Sequence, residues 1–205
     1  TPTAAATATS TPEPLPLPTG LTGRLSAWAG RDVDGRGFLP IGTISTIDGR
    51  FTPAGDFEGR DVSISPDGER LVYTRFQPAV FTTLIDSVNI NGTSPINLDE
   101  IWRGTLTLFE PSMPSYAPSG EQVIFIGREG TSTVNQVSVV TLQGLPPGGG
   151  VSPIRRISND DATYSEPDLS PDGLRAVVVR NNVNATDAGE DIAIIDIATG
   201  IVFPI

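Results

Sequence analysis

The sequence predicts an all-β fold built from four copies of one unit. A short phrase that closes with glycine recurs as Leu17-Pro18-Thr19-Gly20, Ser65-Pro66-Asp67-Gly68, Ala117-Pro118-Ser119-Gly120 and Ser170-Pro171-Asp172-Gly173. The closing glycines stand 48, 52 and 53 residues apart along the chain. No segment keeps a sustained helical period of apolar residues. Self-similarity at this spacing is typical of repeat architectures, in which each unit buries its faces against its neighbours.

The repeated phrase predicts a tight turn after a first strand. Proline presets φ, aspartate hydrogen-bonds to its own backbone, and glycine accepts a positive φ. Six residues before the closing glycine stands another matching position, occupied by Pro14, Val62, Pro114 and Pro167 in the four copies. We expect this position to lie in the first strand of each unit.

Three more strands are predicted after each turn. Short runs rich in β-branched and aromatic residues, bounded by Gly, Pro or Asp, favour strands. Second strands are predicted at residues 25–28, 71–74, 123–126 and 176–179, and third strands at 44–47, 84–90, 134–142 and 192–197. Polar turns at Gly49, Gly92, Gly144 and Gly200 then lead to weaker fourth strands at 50–52, 94–98, 153–158 and 201–205.

A four-stranded antiparallel unit that is repeated radially is a β-propeller blade. We therefore predict an all-β, four-bladed β-propeller over residues 13–205, with four antiparallel strands per blade. The blades are expected at about 13–60, 61–112, 113–165 and 166–205, after an extended N-terminal tail over residues 1–12. The alternative is a two-sheet β-sandwich whose turns are similar by accident.

The repeat resembles the TolB-like family of WD40-like propeller repeats, in which a strand ends in Ser-Pro-Asp-Gly and an apolar strand follows. The resemblance is strongest over residues 61–75 and 166–180. It implies a propeller that acts as an envelope protein or accompanies an enzyme. Members commonly have six or more blades, whereas this chain contains four copies.

Composition argues against several classes of function. The formal net charge is −11 at pH 7, there is no Cys and no His, and all thirteen cationic residues are Arg. This acidic balance argues against a nucleic-acid partner, and no run reaches the roughly 18 apolar residues of a membrane span. Without His or Cys, the usual nucleophile–base pairs and zinc sites cannot form. We therefore expect no enzyme and no catalytic residue, although paired carboxylates can still perform acid–base chemistry.

The chain starts at Thr1. A chain without an initiator Met predicts a removed leader or excision from a larger protein, and hence a secreted, extracellular or periplasmic location. The absence of Cys fits such a protein if it relies on packing rather than disulfides.

The tail, residues 1–12, is rich in Thr, Ala and Pro and belongs to no blade. One interpretation is a flexible linker or stalk. The other is an assembly segment, since twelve extended residues reach on the order of 40 Å and small residues can line a channel or add to a strand edge. The predicted subunit contacts are Thr3, Ala4, Ala5, Ala6, Thr7, Ala8 and Thr9. A tail that docks head-to-tail on the next copy makes an interface that does not close, and hence a filament.

Three functions remain open on the sequence. We favour a non-catalytic extracellular propeller that self-assembles through its tail, with identical subunits as partners. The alternative is a TolB-like periplasmic or extracellular propeller, tethered by the tail, that binds a ligand or another envelope protein. A polysaccharide-active or lectin-like domain is the third.

Candidate sites are few, and no cofactor other than calcium is suggested. Asp32 and Asp34 lie in an Asp-x-Asp-Gly segment that is similar to the opening of a calcium loop, but the Glu expected at its twelfth position is missing. A polar hairpin turn is the simpler interpretation. Trp28 and Tyr73 are predicted in the core between blades. Trp102 is predicted to pack beneath its loop, and the alternative is an exposed ring that can stack on a sugar. Weaker loop acids stand at residues 159–161 and 187–191.

Overall fold

The structure is a computed structural model that describes residues 24–29, 37–79, 81–98, 108–130, 132–142, 154–158, 160–182 and 189–205. Fourteen β-strands are its regular elements within these ranges. They are β1 Arg24–Trp28, β2 Leu39–Ser45, β3 Phe51–Ile64, β4 Arg70–Gln77, β5 Thr82–Asn89, β6 Ile96–Asn97, β7 Leu108–Tyr116, β8 Gln122–Glu129, β9 Gln136–Thr141, β10 Ile154–Arg156, β11 Thr163–Leu169, β12 Arg175–Asn181, β13 Glu190–Asp196 and β14 Val202–Pro204. The prediction of an all-β fold is confirmed for this part of the chain.

The strands form antiparallel sheets that follow the repeat. The third unit is the sheet β7-β8-β9-β10 and the fourth is β11-β12-β13-β14, each hydrogen-bonded in chain order. The first and second units share one six-stranded sheet in the order β1 to β6. The first unit is β1, β2 and the start of β3, and the second is the end of β3 with β4, β5 and β6.

The predicted turn is confirmed at residues 65–68, 117–120 and 170–173, whereas the copy at residues 17–20 lies outside the described residues. Gly68 has φ +75° and its N–H donates to the carbonyl of Ser65 at 2.8 Å. The Ser65 hydroxyl donates to Asp67 Oδ1 at 2.5 Å and accepts the N–H of Arg70 at 2.9 Å. The same hydroxyl–carboxylate bond, also 2.5 Å, joins the equivalent serine and aspartate of the fourth unit. These bonds explain why the turns of the second and fourth units reverse the chain into the second strand. The third unit has Ala117 in place of the serine and retains the backbone bond from the N–H of Gly120 at 2.8 Å.

The buried side chains lie in seams between consecutive units. In the first seam, Ile41 and Ala54 cluster with Leu71, Tyr73 and Val88, so Tyr73 lies in the core as predicted. The second seam gathers Val72, Ile85, Val123, Phe125 and Val140, and the third gathers Ile124, Ile126, Val137, Val139, Ala176, Val178, Ala193 and Ile195. We call the face that packs on the following unit the forward face, and the opposite face the backward face.

Strand β3 differs from the prediction. A strand at residues 50–52 and a blade boundary after residue 60 were expected, but β3 is one strand of 14 residues. Its first half pairs with β2 and its second half with β4. Pro53, Gly55 and Gly59 suggest a loop in the sequence, yet here they are strand residues, with Gly55 at φ +63°. The third strand of the first unit, β2, also begins at Leu39 rather than at residue 44.

The described residues form an arc of three sheets. Leu25 on the first unit is 60% exposed and Val177 on the fourth is 44% exposed, so the end faces do not cover each other. The closed four-bladed ring and the division at residue 12 therefore stay predictions. The tail and the strand predicted around Pro14 lie outside the described residues.

Candidate functional site

One backbone feature recurs in the first strand of three units. Asp61, Met113 and Glu166 have φ of +51°, +53° and +50°, and each stands seven residues before the closing glycine of its turn. At each of them the register of the first strand shifts against the second strand. A left-handed φ costs an ordinary residue about 1–2 kcal/mol. These are repeated β-bulges, a feature enriched beside binding and active sites.

In the third and fourth units the residue after the bulge explains why the ladder breaks there. It is Pro114 in the third unit and Pro167 in the fourth, whereas the second unit has Val62, which retains its N–H. Proline has no N–H to donate, so it is tolerated at bulges and edges and not in a continuous ladder. The repeat in the sequence identifies this position but does not by itself indicate a bulge. The missing N–H of the two prolines was the signal that could have indicated one.

Hydrogen bonds connect the bulges of consecutive units. The N–H of Met113 donates to Asp61 Oδ2 at 3.4 Å, and the N–H of Glu166 donates to the sulfur of Met113 at 3.3 Å. The hydroxyl of Ser115 donates to Asp168 Oδ1 at 3.0 Å. Each unit therefore contacts the next through the same backbone position.

These strands meet around a cleft of about 630 Å³, which we call the axial cleft. Among the described residues its lining includes the carboxylates of Asp61, Glu166 and Asp168 together with Ser26 and Trp28, and no Arg. Arg60, which lies outside the lining, pairs with Asp61 Oδ2 at 3.4 Å. Ser26 Oγ donates to the carbonyl of Val62 at 3.0 Å, which ties β1 to the wall. The cleft is thus acidic, with one aromatic side chain at its side.

The prediction for Trp28 is wrong. Trp28 is 47% exposed and lines the axial cleft rather than the core between blades. Its β-strand, β1, pairs within the described ranges with β2 alone. Trp28 shares the face of β1 with Ser26, the residue that contacts β3 beside the cleft. Its ring is therefore available to a partner.

A second cleft, of about 540 Å³, lies between the second and third units. Arg70 lines it and already donates to Ser87 Oγ at 3.1 Å and to Asn89 Oδ1 at 2.6 Å. The hydroxyls of Ser87 and Tyr116 also lie within hydrogen-bond distance, at 3.1 Å. Burial raises the pKa of Tyr116, so it stays protonated at neutral pH. These polar groups satisfy one another, which makes the cleft a polar part of the seam.

A third cleft, of about 560 Å³, has an aromatic wall. The ring of Phe76 lies 5.6 Å from Phe38 and 6.1 Å from Phe81 between centroids. Arg60 stacks on Phe38 at 5.1 Å, while Glu110 on the opposite side is paired with Arg128. Phe81, which precedes β5, is 76% exposed at the edge of the cleft.

Of the predicted loop acids, Asp160 is structural. It accepts the hydroxyl of Tyr164 at 2.7 Å and an N–H of Arg180 at 2.9 Å. Burial raises the pKa of Asp160, but these hydrogen bonds outweigh burial and hold it below its usual value. Asp160 therefore holds the start of β11 against β12.

The other predicted site residues are not brought together by the described part of the chain. Asp32, Asp34, Trp102 and the tail contacts from Thr3 to Thr9 lie outside it. Among the described residues, no group of three or more Asp, Glu, His or Cys side chains is placed to hold a metal ion. In the same ranges no helix has the length and apolar character needed to cross a membrane.

Comparison with known proteins identifies the fold. No family model and no curated protein matches the chain. TolB from Acinetobacter baumannii superposes with a TM-score of 0.63 at 18% identity, over 82% of this chain and 37% of that one. A TolB-type protein of Agrobacterium tumefaciens gives 0.60 at 18% identity, over 84% and 58% of the two chains. An oligogalacturonate lyase in complex with manganese gives 0.54 at 13% identity, over 82% and 49%.

The chain thus spans less than two thirds of each of these proteins. They include a lyase, so the likeness does not separate a binding propeller from an enzyme, and that distinction depends on the residues of the site. The antiparallel units, their turns and these superpositions agree with the resemblance seen in the sequence. The chain has the fold of a TolB-like β-propeller.

Proposed function

We propose that this chain is a non-catalytic propeller module that holds an extended segment of a partner protein in the axial cleft. The observation that carries the proposal is the repeated bulge at Asp61, Met113 and Glu166. Three consecutive units direct the same strained backbone position toward one cleft, and bulges of this kind re-aim side chains beside binding sites.

The lining of the cleft indicates the chemistry of the partner. Glu166 and Asp168 supply carboxylates that face no Arg within the described lining, whereas Asp61 is already paired with Arg60 at 3.4 Å. A carboxylate forms its strongest hydrogen bonds with Arg and Lys side chains. Trp28, which is half exposed, offers a flat surface for an aliphatic stem or for the guanidinium plane. The partner segment is therefore extended, carries Arg or Lys, and belongs to another envelope or extracellular protein.

A non-catalytic role is supported by the residues available. The chain has no His or Cys to serve as a nucleophile or as its base. The hydroxyl of Ser115 in the cleft donates to the carboxylate of Asp168, and Ser26 donates to a backbone carbonyl. These hydroxyls hold the walls together, which is a positioning role.

The test is a titration with a hexapeptide of alternating Arg and Ala, followed by the fluorescence of Trp28 in a Trp102→Phe background. We expect saturable binding that is weakened at least tenfold by a Glu166→Gln, Asp168→Asn double variant. A matched control makes the same change in charge outside the cleft, with Glu69→Gln and Glu121→Gln. Equal weakening by both double variants would show that only the net charge matters and would exclude the cleft.

A second candidate is self-assembly through the tail, which one observation favours. β1 is the second strand of the first unit. In the third and fourth units the second strand pairs with a first strand, β8 with β7 and β12 with β11, whereas β1 pairs with β2 alone among the described residues. The edge of β1 that has no partner among the described residues is a place where a strand from another copy can add through main-chain hydrogen bonds. We propose Thr3 to Thr9 of a neighbouring copy as that strand. Deleting residues 1–12 should then reduce the assembly seen in sedimentation velocity below that of the full chain, and unchanged assembly would exclude the tail.

A further inference from the structure

The outward face of the fourth unit is apolar and uncovered. Ile192 and Phe203 are 55% and 53% exposed. Val177 lies opposite Ile194, and Ile194 lies opposite Phe203, so these three side chains share one face across β12, β13 and β14. Large apolar side chains that are gathered on one exposed face mark an interaction surface more often than chance.

The repeat shows what covers this face in the other units. The position of Val177 is occupied by Val72 in the second unit and by Ile124 in the third, and both are fully buried. Ile192 corresponds to Ile85 and Val137, which are also fully buried. In each case the cover is the backward face of the next unit, so the fourth unit ends the arc with a free forward face.

The opposite end of the arc carries the complementary surface. Leu25 lies opposite Ile44, and Ile44 lies opposite Phe51, which places the three on the backward face of the first unit. In the second unit the corresponding pair is Leu71 and Val88, and both are fully buried in the first seam. The arc formed by the described residues thus has an exposed backward face on the first unit and an exposed forward face on the fourth.

We propose that the forward face of the fourth unit in one copy binds the backward face of the first unit in a second copy. The two faces are of the kinds that already form the three internal seams, so the contact continues an established interface. They do not cover each other within one copy, since Leu25 and Val177 are both exposed. The arc superposes on part of larger propellers, which leaves room for more units beside it. The contact is heterologous, with a different surface from each copy.

Charge predicts how this association responds to salt. Each copy carries a net charge of −11, so two copies repel each other at low ionic strength. The contact itself is apolar and is not weakened by salt, whereas the repulsion is screened. Association should therefore strengthen as salt is raised from 20 to 300 mM. Near the middle of this range the Debye length is about 8 Å, so most of the repulsion between the two copies is screened.

The test is the molar mass of the full chain by sedimentation velocity between 1 and 100 μM. We expect the mass to rise above that of the 21.5 kDa monomer with concentration. Ile192→Asp and Leu25→Asp should each weaken association at least tenfold. Phe81→Asp, which alters an even more exposed apolar residue away from both end faces, should leave it unchanged. A monomer at 100 μM, or equal effects of all three substitutions, would overturn the proposal.

A mixing experiment tests the asymmetry of the contact. Ile192→Asp retains its backward face and Leu25→Asp retains its forward face, so an equimolar mixture should recover a one-to-one dimer. Failure to recover it, while each variant still melts within about 3 °C of the dilute wild type, would contradict the pairing of these two faces. The deletion of residues 1–12 should leave this association intact, which separates it from assembly through the tail.

Discussion

Gly59→Ala tests the seam that joins the first unit to the second. A Cβ at this position would lie 2.4 Å from Cδ2 of Tyr73, 2.8 Å from the carbonyl oxygen of Thr74 and 3.3 Å from Cγ2 of Ile41. Tyr73 is fully buried and its ring packs edge-on against Phe57 at 6.4 Å, so it has little room to move. The carbonyl of Thr74 belongs to the backbone, which cannot yield without disturbing the ladder.

The magnitude follows from these overlaps. Inserting a methyl group into a well-packed core costs about 1–3 kcal/mol, and contact with a backbone atom places this case near about 3 kcal/mol. For a chain of this size each kcal/mol lowers the melting temperature by about 2–4 °C. We therefore expect Gly59→Ala to lower the melting temperature by about 6–12 °C, measured by circular dichroism at low protein concentration.

The matched control is Gly189→Ala, where a Cβ meets no atom within 4 Å and the φ is ordinary. That substitution should leave the free energy of unfolding within about 0.5 kcal/mol of the wild type. If Gly59→Ala melts within 2 °C of the control, Tyr73 does not pack against β3 as described. The reasoning about the first seam would then be refuted.

Three further predictions concern the turns and the other seams. Ile124→Ala should lower the free energy of unfolding in urea by about 2–5 kcal/mol because it empties the third seam, and a loss below about 1 kcal/mol would contradict that packing. Tyr164→Phe should cost about 1 kcal/mol through the lost bond to Asp160; a neutral result would remove Asp160 from its structural role. The hydroxyl of Ser65 holds the pKa of Asp67 below its usual value, so ionised Asp67 stabilises the fold above its unfolded pKa and this stability is lost as pH falls through the lower folded value. Between pH 5 and pH 2 the free energy of unfolding in urea should therefore fall less for Asp67→Asn than for the wild type. An equal fall in both proteins would contradict the effect.

The turns and second strands were predictable because their causes are local. Ser65, Asp67 and Gly68 are close in sequence, and the turn they form depends on their own hydrogen bonds and φ. The burial of Tyr73 also followed from its place in a second strand. These features need only the neighbouring residues and the rule that each unit packs on the next.

The bulges and the exposure of Trp28 were missed because their causes are not local. The left-handed φ of Asp61 depends on where β4 pairs with β3, and its carboxylate accepts the N–H of Met113 from the next unit. The exposure of Trp28 depends on which other elements pack on β1, and the residues of β1 do not determine that. The continuity of β3 was missed because Pro53 and Gly55 suggest a break that strand pairing overrides.

Residue types are alike between units in the seams but differ between units in the axial cleft, and this difference bears on function. In the seams both the position and the apolar character recur, as in Val72 and Ile124. In the axial cleft the left-handed backbone conformation recurs, while the side chain changes from Asp61 to Met113 to Glu166. The ladder maintains the bulge, and the proline after it in the third and fourth units adds to this, so the bulging side chain is free to vary without loss of the fold. Partner chemistry can therefore be set at the bulges while the seams maintain the arc, which is why the axial cleft, rather than any seam, is the place to look for recognition.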